Sequence, residues 1–162
     1  MNGMLTDDIN GDGNLDILLV GNGYGSEVKH GRLDAHDGLI GLGDGAGTFD
    51  FKSAHNSGFL VQEDAKALVS LYHNQFKRTV YEASQNRGSI RAFLNAQEEM
   101  PITILPDDRY AIVTCKDGRV RREKFYFGSD LISQSSRNLT WSDIYESIEI
   151  YNVEGEIRTI SQ

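Results

Sequence analysis

The sequence predicts an all-β fold, and three observations carry that expectation. Its apolar runs are short, of strand length, and are separated by turns rich in Asp, Asn and Gly. Two tight turns, Lys116–Asp117–Gly118–Arg119 and Glu154–Gly155, each join a pair of alternating segments as a hairpin does. Glycine is frequent, at 17 residues, and proline scarce, at 2. Many short strands of this kind read as a sandwich, a barrel or a propeller.

Taken in order, Ile17–Gly23 (ILLVGNG) is a strand-length apolar run closed by a turn. Leu39–Phe51 (LIGLGDGAGTFDF) predicts strand, glycine-rich turn, strand, with Phe49 and Phe51 on one face. Glu63–Gln75 is ambiguous. Its apolar residues Ala65, Leu68, Val69 and Tyr72 have helical spacing, and a strand through Leu68–Leu71 is the alternative. Arg78–Ser84 and Ser89–Asn95 predict two strands joined at QNRG, and Gln97–Pro101 reads as a boundary. Beyond it, Arg109–Gly128 and Ser147–Ile160 predict hairpins; in the second, Ile148, Ile150 and Val153 alternate with Glu149 and Glu154.

Charge is unevenly spread. Of the formal net charge of -8, residues 1–50 carry -7, from nine acids against two bases. That surface disfavours nucleic acid and anionic membranes and suits a divalent cation. No apolar run approaches the ~20 residues of a membrane span. The N-terminus lacks the basic and apolar regions of a signal peptide, so the expectation is either a cytosolic chain or a fragment of a longer exported one. Cys115 is the only cysteine, which leaves no intrachain disulfide, and it is expected to pack as a small apolar residue.

The stretch DINGDGNLDILLV, Asp8 to Val20, crowds carboxylates that repel one another unless something compensates. Counted from Asp8, side-chain oxygens fall at positions 1, 3, 5 and 9: Asp8, Asn10, Asp12 and Asp16. Gly13 stands at position 6, where an oxygen-rich calcium loop turns sharply, and the carbonyl of Asn14 at position 7. An EF-hand would place a bidentate Glu at position 12, which here is Leu19, and the loop runs into a strand rather than a helix. The candidate metal ligands are therefore Asp8, Asn10, Asp12, Asn14 and Asp16, with Ca²⁺ as a structural cofactor.

That combination resembles the calcium loop of FG-GAP, or VCBS, repeats, which build β-propellers. GLGDGAGTF (Gly41–Phe49) looks like the glycine-rich hairpin of that family, and SGFLVQEDAKALVSL with ASQNRGSIRAF looks like the blade that follows. Under the resemblance Leu68–Leu71 is a strand. GSDLISQSS (Gly128–Ser136), followed by a strand and a glycine hairpin, looks like the ASPIC/UnbV domain, with YNVEGE standing where a Trp-Pro-x-Gly motif is usual. The resemblance implies partial propeller blades over residues 1–95 and a small antiparallel β domain over 96–162. It also implies a non-catalytic role in an exported or cell-surface bacterial protein that engages a protein or carbohydrate ligand; the alternative is an accessory module of a calcium-dependent, polysaccharide-active enzyme. Because a propeller needs roughly four to eight blades, exposed blade edges and self-association are expected.

Other motifs have plainer readings. LGDGAG lacks the Lys-Ser/Thr and helix of a phosphate cradle and reads as a hairpin turn. His30, His36, His55 and His73 show no zinc spacing, and no G-x-S-x-G elbow is present. Asp34 and Asp37 read as turn residues, with a second cation site as the alternative. Glu63–Asp64 and Glu98–Glu99 read as solvated acids. Trp141, Tyr110, Tyr126, Tyr145 and Tyr151 read as core packing, with a carbohydrate platform as the alternative.

Overall fold

The structure, a computed structural model, describes residues 2–25, 29, 31, 35–128 and 134–161. Its first sheet is an antiparallel meander of β1 (Gly3–Asp7), β2 (Asp16–Val20), β3 (Leu39–Gly43) and β4 (Phe49–Ser53), in that spatial order. Period-2 alternation fixes its faces. Leu5 lies opposite Leu18, and Leu18 opposite Ile40, so these three point to one side. Ile17, Gly41 and Phe51 are likewise opposite one another and point to the other side. Phe49 and Phe51 share that second face as expected, with ring centroids 6.2 Å apart.

A single helical turn, Ala54–Ser57, leads to the second sheet, β5 (Ala65–His73), β6 (Arg78–Gln85) and β7 (Arg91–Leu94), again a meander. The segment with helical spacing is thus a strand. A register shift between Ala65 and Ala67 is the reason: the extra residue lets both Ala65 and Leu68 reach the core, three positions apart. The two sheets pack face to face through Leu5, Leu18, Val20, Leu68, Tyr81 and Ala83, closed by Phe59 and Val61 from the connection.

A second core belongs to the later residues. β9 (Asp108–Cys115) and β12 (Tyr145–Asn152) are the central strands of a four-stranded antiparallel sheet, with β10 (Val120–Lys124) and β13 (Ile157–Ser161) at its edges. Beside it, β8 (Met100–Ile102) pairs with β11 (Leu139–Trp141). Ala111, Val113, Cys115, Ile148 and Ile150 alternate onto the inner face and meet Ile102, Leu139 and Trp141. Cys115 is buried there. The chain is therefore all-β with antiparallel sheets, none of which closes into a barrel among the described residues. No helix among them is long and apolar enough to cross a membrane.

Candidate functional site

The loop from Asp8 to Leu15 joins β1 to β2, and its shape follows from its own polar side chains. Asp8 accepts hydrogen bonds from the backbone N–H of Gly11 (2.8 Å) and of Gly13 (2.9 Å), one on each carboxylate oxygen. Asp12 accepts from Asn14 N–H at 2.8 Å, and Asn10 accepts from Asp12 N–H at 3.0 Å. Asp and Asn side chains favour such local turns. Two residues need a left-handed backbone, and both are glycine: Gly11 at φ 76° and Gly13 at φ 84°.

Asp16 anchors the loop to the sheet. It is fully buried, accepts from Ile9 N–H (3.0 Å) across the loop, and from Gly43 N–H (2.9 Å) at the end of β3. Burial raises the carboxyl pKa of Asp16, and also that of Asp8, above the usual range against the amide hydrogen bonds that lower it. The neighbouring Asp7 is pushed up to about 6, chiefly by burial, even though Tyr81 donates its hydroxyl to it at 2.9 Å. These carboxylates are under-compensated as they stand, which is the electrostatic condition a cation relieves.

The predicted ligands all lie on this one loop and at the first residue of β2, but they are not equally placed. Asp8 and Asp16 face inward, while Asp12 and Asn10 are exposed and engage each other at 3.0 Å. The side chain of Asn14 accepts from Arg119 at 2.5 Å, whereas its carbonyl accepts no hydrogen bond among the described residues. Among those residues, no three His, Cys, Asp or Glu side chains converge as a metal cluster. The donor atoms themselves are hard oxygens of the kind Ca²⁺ takes. Each carboxylate oxygen keeps a second acceptor position beside its amide, and the free Asn14 carbonyl is the backbone oxygen such loops use.

Sequence reasoning missed what holds the loop from outside. Arg121 donates to Gly13 O (2.8 Å) and to the Tyr145 hydroxyl (2.6 Å), and pairs with Glu123 at 3.0 Å. Arg119, fixed by Asp117 at 2.7 Å, reaches Asn14. Gln97 donates to Asn10 O at 2.9 Å. The loop therefore touches the β9–β10 hairpin more than 100 residues away, and no short-range signal reports such contacts.

Other predicted residues divide. The reading of Glu63–Asp64 and Glu98–Glu99 as solvated acids is corrected for two of them. Asp64 is buried and bonded to Lys66 (2.5 Å), Asn86 (3.1 Å) and Tyr24 N–H (3.3 Å). Burial raises its pKa, but these partners outweigh burial and hold it below the usual value. Glu99 accepts from the Thr79 hydroxyl at 2.7 Å and from Asn95 at 2.9 Å. Trp141 and Tyr145 are core residues, but Tyr110 and Tyr151 stack on the outer face of the sheet, 4.7 Å apart, and Tyr126 is exposed. Asp34, His30 and the centre of Gly128–Ser136 lie outside the described residues. Comparison with known protein families finds none that matches the chain, and no curated protein matches it.

Proposed function

We propose that the chain is a calcium-binding, non-catalytic binding module, built of FG-GAP-type propeller blades followed by a small ASPIC/UnbV-like β domain, from an exported or cell-surface bacterial protein with a protein or glycan partner. The observation that carries the reading is the Asp8–Asp16 loop, with its oxygen donors at calcium-loop spacing and the half-buried Asp8 and buried Asp16 carboxylates unmatched by any ion pair among the described residues. Two further features support it. The first sheet is a four-stranded meander, as a blade is, and the outward faces of both N-terminal sheets carry apolar residues among polar ones. Met4, Ile17, Leu19, Leu39 and Phe51 lie on one, with Phe51 53% exposed; Val69, Leu71, Val80 and Leu94 lie on the other. Stacked-sheet arrays bury both faces of each unit, whereas a sheet facing water on one side would carry polar residues there.

The test is calcium titration of EDTA-stripped protein by calorimetry and thermal unfolding, repeated on Asp12→Ala. Extracellular modules bind Ca²⁺ at roughly 0.1–1 mM. At 10 mM Ca²⁺ such a site stabilises by about 1.4–2.7 kcal/mol, and the substitution should abolish the gain. An unchanged melting temperature and no heat of binding would remove calcium from the reading.

A further inference from the structure

A cleft of about 500 Å³ separates the first sheet from the β9–β10 hairpin. One wall is the edge strand β1, residues Met4 to Asp7; the opposite wall is β10, from Arg121 to Lys124; residues 135–140 close the third side. The third side is fixed in place, because Ser136 N–H donates to Ser70 O at 2.8 Å and Ser70 N–H to the Ser135 hydroxyl at 3.1 Å. The size lies in the range of pockets that hold small ligands, about 300–1,000 Å³.

The lining has a distinctive chemistry. Thr6, Ser70, Lys124, Ser136, Asn138 and Thr140 all border the cleft, and none makes a side-chain hydrogen bond or ion pair among the described residues. Three elements distant in sequence thus bring hydroxyl, amide and ammonium groups to one space with their hydrogen-bonding capacity free. Tyr126, 64% exposed, adds an aromatic ring at the rim. Hydroxyls, an amide and an ammonium beside an exposed aromatic, with the charged Asp7, Asp8, Glu123 and Arg137 completing the polar lining, match a polyol: its hydroxyls meet the polar groups, and the C–H face of a pyranose lies on the ring. An apolar side chain would leave those groups without partners in a closed site.

We infer that this cleft binds a carbohydrate segment of one to two sugar units. The inference rests on the reading of the chain as a binding module and gives its partner a place and a class. The cleft also shares a wall with the candidate calcium loop, since Asp8 and Leu15 of the loop line it and Arg121, which lines it too, donates to Gly13 O. A cation that stiffens the loop therefore stiffens one side of the sugar site.

The experiment is saturation-transfer NMR on the intact chain in 10 mM CaCl₂, with cellobiose, lactose, maltose and N,N′-diacetylchitobiose as probes and tetra-alanine as the peptide control. At least one disaccharide should receive saturation. Its affinity should fall at least tenfold in Asn138→Ala and in Lys124→Met, two positions outside both cores. Unchanged circular dichroism in either variant keeps the comparison valid if the other misfolds. Saturation of tetra-alanine alone, of no probe, or of a sugar whose affinity neither variant alters would overturn the inference. Melting each variant with and without calcium separates the two claims: a calcium-induced shift without sugar binding leaves the loop standing and sinks the cleft.

Discussion

Asp16→Ala is the perturbation that reads the loop most directly. Asp16 is fully buried and its two oxygens satisfy two backbone amides, the buried Gly43 N–H at 2.9 Å and the part-buried Ile9 N–H at 3.0 Å. Removing the carboxylate leaves both donors without partners. The buried Gly43 donor left unsatisfied costs about 1–3 kcal/mol and the part-buried Ile9 donor less, so the substitution should destabilise by about 1–4 kcal/mol in EDTA. Asp16→Asn keeps one acceptor oxygen and sheds a charge that burial disfavours, so its loss should be about half as large. Urea unfolding followed by far-ultraviolet circular dichroism measures both. An Asp16→Ala protein within about 0.5 kcal/mol of wild type would refute the anchoring role, as would an Asn variant less stable than the Ala variant.

Gly43→Ala should destabilise by about 1–3 kcal/mol by thermal unfolding, because the added Cβ would lie 2.3 Å from the Leu15 carbonyl oxygen, and backbone does not yield cheaply. The same substitution should weaken calcium binding, since Gly43 N–H holds Asp16. Asp64→Asn should flatten the acid limb of the stability–pH curve. The folded-state pKa of Asp64 lies below its unfolded value, so the unfolded state binds the proton more readily. Its stabilisation is present above about pH 4 and lost as pH falls through the folded pKa, and a variant with the same acid limb as wild type would contradict that assignment.

The elements were legible wherever local chemistry decides them. Asp-Gly at Asp117–Gly118 marks the β9–β10 hairpin, and the alternation of Ile148 and Ile150 marks the inner face of β12. The loop was equally legible, because Asp, Asn and Gly at fixed offsets shape it through hydrogen bonds within eight residues. Periodicity misled at Ala65–His73, where a bulge imitates helical spacing. Asp64 looked solvated because its partners Lys66, Asn86 and Tyr24 converge from separate strands and connections. The cleft was invisible for the same reason: Thr6, Lys124 and Asn138 border one space only once the two cores dock.

Two kinds of charge compensation meet at the loop, and they are not interchangeable. The acidic first third of the chain lies against a basic hairpin, so Arg119 and Arg121 would be expected to neutralise the crowded carboxylates. They do not pair with them. Arg121 donates to the Gly13 carbonyl and Arg119 to the Asn14 side chain, while their carboxylate partners are Glu123 and Asp117 on their own hairpin. Among the described residues, Asp8, Asp12 and Asp16 form no ion pair, and amides alone engage their oxygens. A guanidinium set directly on these carboxylates would satisfy their charge and close the loop to a cation. Holding the outer backbone instead fixes the loop's shape and leaves its negative interior open. The hairpin therefore supplies geometry and, through space from Arg121 to Asp8, part of the charge, and the proposed Ca²⁺ supplies the rest. On that division of labour Arg121→Met should lower calcium affinity, because it loosens the loop, whereas neutralisation by Arg121 would predict that the same variant binds calcium more tightly.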